Sequence, residues 1–260
     1  MGRILITGSS DGLGLLSARA LIKQGHSVVL HARNEQRARA ARAACVDAEA
    51  CLIADLTDIS QTRKLADQAN ALGSFDAVIH NAGMYTGPYR KTNEGWPSIV
   101  AVNTISPYVL TGLLKPRPKR FVFVSSGLHN GGDSTCEDIT WAKRGEAGFK
   151  DHQAYADTKL HNVLLAAALA RKWPSVQTNS LDPGWVPTKM GGHSANGDID
   201  AAIDTYVMLA TGGGAAKGVT GKYWFKCKPN SPMKPAEDEA VQQKLLDELE
   251  AVTGLKLPSE

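Results

Sequence analysis

The chain has 260 residues, 43% of them hydrophobic and 21% charged, with a formal net charge of +3. That length and apolar content suit one large α/β core, and so small a charge gives no reason to expect nucleic acid or anionic lipid as a partner. Cys45, Cys51, Cys136 and Cys227 are scattered with no C-x-x-C pair, and the histidines form no H-E-x-x-H, so free thiols are expected and a metal site is not.

Met1-Gly2-Arg3 leads directly into Ile4–Thr7 with no apolar leader segment or cleavage site, and the longest apolar run is Val163–Ala170. A bilayer needs roughly 20 apolar residues, so a soluble, cytoplasmic chain without a membrane partner is expected. Ile4–Thr7 is the first predicted strand. Others follow at Ser27–His31, Ala50–Ala54, Phe75–His80 and Arg120–Ser125, mostly continuous apolar runs that suit burial on both faces of a parallel sheet. Helices are predicted between them at Leu13–Gln24, Glu35–Cys45, Ile59–Leu72 and Ile99–Leu114. Gly25 and Gly73 stand where helices often end, and Asp58 is placed as an N-cap. An excursion over 127–151 precedes a long helix at Gln153–Lys172 and a strand at Val176–Leu181. A glycine-rich, mobile loop is expected over 189–200, then a last strand at Lys222–Phe225 and an amphipathic helix at Glu237–Val252. The alternation predicts a single Rossmann-type α/β domain over 1–260. It is doubly wound, with a mostly parallel sheet of about seven strands flanked by helices on both faces.

Between the first strand and helix lies Thr7-Gly8-Ser9-Ser10-Asp11-Gly12-Leu13-Gly14. Glycines at this junction let backbone approach a pyrophosphate, whose charge the free N–H groups of the helix start can meet. Gly8, Ser9, Ser10, Gly12, Leu13 and Gly14 are therefore candidate dinucleotide contacts. A carboxylate after the second strand would favour NAD(H); this chain has Arg33 there, and a guanidinium forks onto a 2′-phosphate. NADP(H) is expected, with NAD(H) less favoured, although Asp11 brings a negative charge to the loop and Arg33 could simply begin a basic face with Arg37, Arg39 and Arg42. Asp55-Leu56 after the third strand are candidates to hold the adenine, and Asn81-Ala82-Gly83 after the fourth to lie against its ribose.

Tyr155 and Lys159 are one helical turn apart and share a face. With Asn103, Ser125-Ser126 and Pro183-Gly184-x-Val186-x-Thr188 they stand in an order that, after the glycine turn and Asn81-Ala82-Gly83, resembles the short-chain dehydrogenase/reductase family over nearly the whole chain. The likeness is greatest to the compact, retinol dehydrogenase-like branch and its bacterial relatives. The resemblance implies hydride transfer between a nicotinamide and a carbonyl/alcohol pair, with Tyr155 as general acid/base. Lys159 is implied to hold the nicotinamide ribose and, as a cation about 5 Å away, to lower the phenol's pKa by about two units. It further implies Ser126 on the substrate oxygen, Ser125 being a close competitor, and Asn103 placing a water beyond Lys159. Pro183, Gly184, Val186 and Thr188 would contact the carboxamide and phosphates.

His80 departs from the family's usual asparagine, and the Ser126–Tyr155 interval is long, so the excursion either walls the substrate pocket or packs as a surface excursion around Trp141. Trp141, Trp185 and Met190 point to a small, apolar carbonyl or alcohol substrate, with a homo-oligomer left open. The alternative is a nucleotide-sensing regulator of the same fold without turnover, which would be expected to lose the Tyr155/Lys159 pair.

Overall fold

Strands whose alternate side chains enter two different cores form the centre of the protein. The computed structural model describes residues 1–260. Its strands are β1 (Arg3–Ile6), β2 (Ser27–Ala32), β3 (Ala50–Ile53), β4 (Ala77–His80), β5 (Arg120–Val124), β6 (Gln177–Asp182), β7 (Tyr223–Phe225) and β8 (Lys228–Asn230). They form one 8-stranded sheet in the order β3-β2-β1-β4-β5-β6-β7-β8, all pairs parallel except β7 with β8. Leu5, Val29, Val78, Phe121 and Phe123 face one core; Ile4, Ile6, Val28, Leu30, Ala77, Ile79, Val122 and Val124 face the other. That double burial accounts for the unbroken apolar runs in the sequence.

The helices are α1 (Gly12–Lys23), α2 (Glu35–Ala44), α3 (Ile59–Leu72), α4 (Ser98–Val100), α5 (Ser106–Leu113), α6 (Asp151–Lys172), α7 (Ile199–Thr211) and α8 (Glu239–Thr253), with a π turn at Ala101–Ile105 joining α4 to α5. The first core packs against α3, α5, α6 and α8, the second against α1, α2 and α7. Asp58 caps α3 as expected, accepting from Ser60 N at 2.8 Å and Gln61 N at 3.3 Å. The terminal helix begins at Glu239 rather than Glu237 because Lys234–Glu237 form a separate 3-10 turn. No helix is long and apolar enough to cross a membrane.

Two elements escape the sequence reading. The sheet gains an eighth strand through a two-residue hairpin at Lys226-Cys227, both with positive φ (47° and 60°). Neither is a usual turn former, and Thr205 Oγ1 on α7 steadies the bend by accepting from Cys227 N at 2.9 Å. Helix α7 begins inside the segment expected to be a mobile loop; Asp198 caps it through Ala201 N, and Gly212 closes it in the left-handed conformation. His80, the family departure, is buried, stacked on Phe123 at 4.7 Å and bonded to Thr111 Oγ1 at 2.8 Å. Burial holds its imidazole neutral, with a pKa down at about 3.

Strand order reverses between β1 and β4. Connections there leave in opposite directions, opening a crevice at the carboxyl ends of the strands.

Candidate active site

The turn after β1 is shaped for a close approach. Gly8 has φ +63°, and a Cβ on it would lie 2.7 Å from the Ala82 Cα. Gly12 has φ +55° with nothing within 4 Å of its missing Cβ, so the open crevice lies directly against backbone. From Ser10 to Gly14 the backbone N–H groups have no acceptor in the protein, and the Asp11 side chain does not cap the helix. Free donors at a helix N-terminus are a seat for an anion. Around the turn, His31 Nδ1 accepts from Gly8 N at 2.9 Å, which leaves Nε2–H to donate to Ala54 O at 3.0 Å. Burial lowers the His31 pKa to about 4, so this neutral tautomer persists at neutral pH. Asn81 Nδ2 donates to Thr7 O at 2.8 Å and Gly8 O at 3.0 Å, while its Oδ1 accepts from Tyr206 Oη at 2.9 Å.

The crevice is a cleft of about 580 Å³. At one end lie Arg33, exposed and without an ion-pair partner, and Arg37, whose Nη1 is 2.9 Å from Asp11 Oδ2. Lys189 Nζ is 3.5 Å from the same oxygen. The Asp11 charge is thus met by two cations, which answers the objection it raised. Asp55 Oδ1 accepts from Thr57 N at 3.0 Å and Thr57 Oγ1 at 2.8 Å, so the Asp55–Thr57 turn holds its shape beside the cleft.

At the other end α6 presents Tyr155 and Lys159. The Lys159 Nζ is 5.4 Å from the Tyr155 ring centroid and donates to Val124 O at 2.8 Å. Burial lowers the lysine pKa to about 8, opposed by the Asp182 carboxylate. Tyr155 moves the other way: burial pushes its phenol up to about 12, Asp182 and Tyr85 act in the same direction, and the Ser126 hydroxyl opposes them. The phenol therefore lies above its ordinary value in the protein alone, with desolvation of the buried phenolate the leading cause. The two serines also separate. Ser125 Oγ is spent on Lys159 O at 2.7 Å, whereas the Ser126 hydroxyl faces Tyr155 and accepts from Leu128 N at 3.3 Å. Asn103 sits in the π turn with its carboxamide fully engaged: Oδ1 accepts from Met84 N at 2.8 Å, and Nδ2 donates to Met84 O at 2.9 Å and Thr158 Oγ1 at 3.0 Å.

Of the residues expected at the site, Gly8, Ser10, Gly12, Leu13, Gly14, Arg33, Asp55, Leu56, Asn81, Ala82, Gly83, Tyr155, Lys159, Pro183 and Thr188 line the cleft. Ser9, Asn103, Ser126, Gly184 and Val186 stand behind or beside it. Ser9 is buried inside the turn, donating to Ile6 O at 2.8 Å and accepting from His31 N at 2.9 Å. Met190 reaches the cleft, but Trp185 is exposed, and Trp141 is buried against Arg144 and Phe149. No residue of 127–151 lines the cleft, so the excursion packs beside it, held by Arg144 to Asp138 at 3.0 Å and Asp157 at 2.9 Å. Sequence reasoning missed Tyr206, which comes from the unforeseen α7, and gave Arg37 no role. Arg37 was findable, lying in the first turn of α2 just after Arg33.

The chain matches the short chain dehydrogenase family model over residues 3–130. Short-chain dehydrogenase chry4 of Gibberella zeae is 47% identical over 260 residues, covering 100% of both chains. Human retinol dehydrogenase 14 is 30% identical over 97% of this chain and 86% of its own length. A solved protein from Mycobacterium Paratuberculosis superposes with a TM-score of 0.80 at 26% identity, over 99% of this chain and 95% of its own. The chain belongs to the short-chain dehydrogenase family, in its retinol dehydrogenase-like branch. It is accordingly an oxidoreductase of a family that binds a nicotinamide cofactor and acts on small molecules.

Proposed function

We propose that this protein is an NADP(H)-dependent oxidoreductase that interconverts a carbonyl and an alcohol, with Tyr155 as the general acid/base. The observation that carries this reading is a single cleft with an anion seat at Ser10–Gly14 and the buried Tyr155/Lys159 pair along its length. The residues present fit a dinucleotide. Free amides of Ser10–Gly14 would take the pyrophosphate, Arg33 and Arg37 a 2′-phosphate, Asp55 and Leu56 the adenine, Ala82 and Gly83 its ribose, and Lys159 the nicotinamide ribose. Pro183 and Thr188 line the same cleft, with Gly184 and Val186 shaping their loop. When bound, the nicotinamide supplies or accepts the hydride.

The rest of the chemistry belongs to the chain. Ser126 would hydrogen-bond the substrate oxygen. Tyr155 then gives that oxygen its phenolic proton during reduction, and Lys159 stabilises the phenolate left behind. A phenol held up at about 12 is almost wholly protonated at neutral pH. It is poised as an acid, and the alkoxide formed by reduction is basic enough to take its proton. At neutral pH the phenol is therefore in the form that donates a proton during reduction, and the rate of oxidation should rise with pH as more phenolate forms. Asn103 would serve by fixing Met84 and Thr158 around the lysine, and the cleft is open to an apolar carbonyl compound alongside Met190.

The test is absorbance of the reduced nicotinamide with a panel of ketones, aldehydes and quinones, using NADPH and NADH in parallel. NADPH-dependent turnover is expected, falling by about 10²–10⁴-fold in Tyr155→Phe while that variant still binds NADPH. Equal use of NADH, or full activity in Tyr155→Phe, would refute the proposal.

A further inference from the structure

The serine beside Tyr155 caps a weak element. Ser126 is the N-cap of a five-residue 3-10 turn, Gly127–Gly131, with glycine at both ends. Short 3-10 turns have poor hydrogen-bond geometry, and glycine adds conformational freedom. Gly127, Leu128, Asn130 and Gly131 are all exposed, and the turn is tied to α6 at its far end, where Gly131 O accepts from Gln153 Nε2 at 2.8 Å. His129 is the exception, with 0% exposure.

Both ring nitrogens of His129 are used, in roles that fix the tautomer. Met233 N donates to Nε2 at 2.9 Å, so the ring proton lies on Nδ1 and is donated to Ser126 O at 2.7 Å. The His129 backbone N–H reaches the same carbonyl at 3.0 Å. Tyr223 of β7 packs on the ring at 4.7 Å. Burial lowers the imidazole pKa, which keeps the ring neutral and this donor–acceptor arrangement intact at neutral pH.

We propose that His129 is a positioning residue for the proposed reaction. It holds the Ser126 carbonyl, and through it the Ser126 hydroxyl, in register with Tyr155, and it uses the Met233 amide as a fixed anchor outside the turn. The inference rests on the role given to Ser126 above. It makes the excursion after β5 functional through one buried ring even though none of its residues lines the cleft. It also couples the serine to the segment that leads into α8.

Two substitutions separate the two ends of the ring. His129→Asn puts an amide N–H where Nδ1 sits and keeps the bond to Ser126, whereas His129→Gln reaches toward Met233 and gives that bond up. With NADPH and the carbonyl compound that the wild type reduces fastest in the panel, kcat of His129→Gln should fall about tenfold. His129→Asn should stay within about threefold of wild type, and the Kd for NADPH should be unchanged in both. In a Ser126→Ala background the glutamine substitution should change kcat by less than about twofold, because the group it positions is gone. A full additional loss in that background, equal activity of the two variants, or loss of NADPH binding in both would overturn the proposal. A Ser126→Ala enzyme with undiminished kcat would instead bring down the reading of the serine on which it depends.

Discussion

Lys159 is an ammonium nearly sealed from water, 5% exposed, whose one protein acceptor is Val124 O at 2.8 Å. Its pKa falls from 10.5 to about 8 on burial. At about 1.4 kcal/mol per unit, that depression destabilises the folded protein by roughly 3 kcal/mol. Lys159→Met keeps an unbranched side chain of similar length and removes the charge. It also removes the hydrogen bond, worth about 1 kcal/mol, but Val124 O still accepts from Asn162 Nδ2 at 3.1 Å and is not orphaned. The net expectation is a protein more stable by about 2 kcal/mol at pH 7, or roughly 4–8 °C in Tm, with its turnover lost. The pH dependence follows from the direction of the shift. Below about 8 both folded and unfolded chains hold the proton and the penalty is complete; between about 8 and 10.5 the folded protein releases it first, and above 10.5 the penalty is gone. Thermal unfolding followed by circular dichroism at pH 7 and pH 10, without cofactor, measures this directly. A variant that melts at or below the wild-type temperature at pH 7 would refute the reasoning, as would an advantage that does not shrink by pH 10.

Other outcomes follow from the same geometry. Arg33→Ala and Arg37→Ala should each weaken NADPH binding about tenfold or more, the worth of a charge-assisted hydrogen bond, and leave NADH within about twofold; fluorescence titration showing equal losses for both cofactors would remove these residues from the 2′-phosphate. Gly8→Ala places a Cβ 2.7 Å from the Ala82 Cα at φ +63°, and should destabilise by about 1–3 kcal/mol and weaken cofactor binding; a wild-type denaturation midpoint would contradict the packing. Four histidines are held neutral by burial: His31 and His161 at about 4, His80 at about 3, and His129, shifted in the same direction. The unfolded chain therefore takes up protons first as pH falls below 6.5, and Tm should drop steadily between pH 6.5 and 4; a flat profile would count against their burial.

Much of the architecture could be read from residues because its causes are local. Strands buried on both faces read as unbroken apolar runs, Asp58 and Gly25 mark helix ends, and the glycines of the first turn are required by their own backbone angles. Helix α7 also carried local marks, Asp198 at its start and Gly212 at its end, but the glycine-rich stretch before it drew attention to a loop. The β7–β8 hairpin carried none, since Lys226-Cys227 bends through positive φ only with help from Thr205. The different surroundings of the two serines were equally closed to inspection, because the Ser125 hydroxyl donates to the Lys159 carbonyl, 34 residues away.

By itself the sequence determined the family, the parallel sheet with its switch point, the anion seat and the Tyr155/Lys159 spacing. These follow from backbone conformation and short periodicities, which neighbouring residues impose on one another. Only the tertiary structure decided the charge state of the site, the partners that meet Asp11, and the buried ring of His129 behind Ser126. Each of those is set by desolvation and by contacts between residues far apart in the chain, and neither exists until the chain has closed around them.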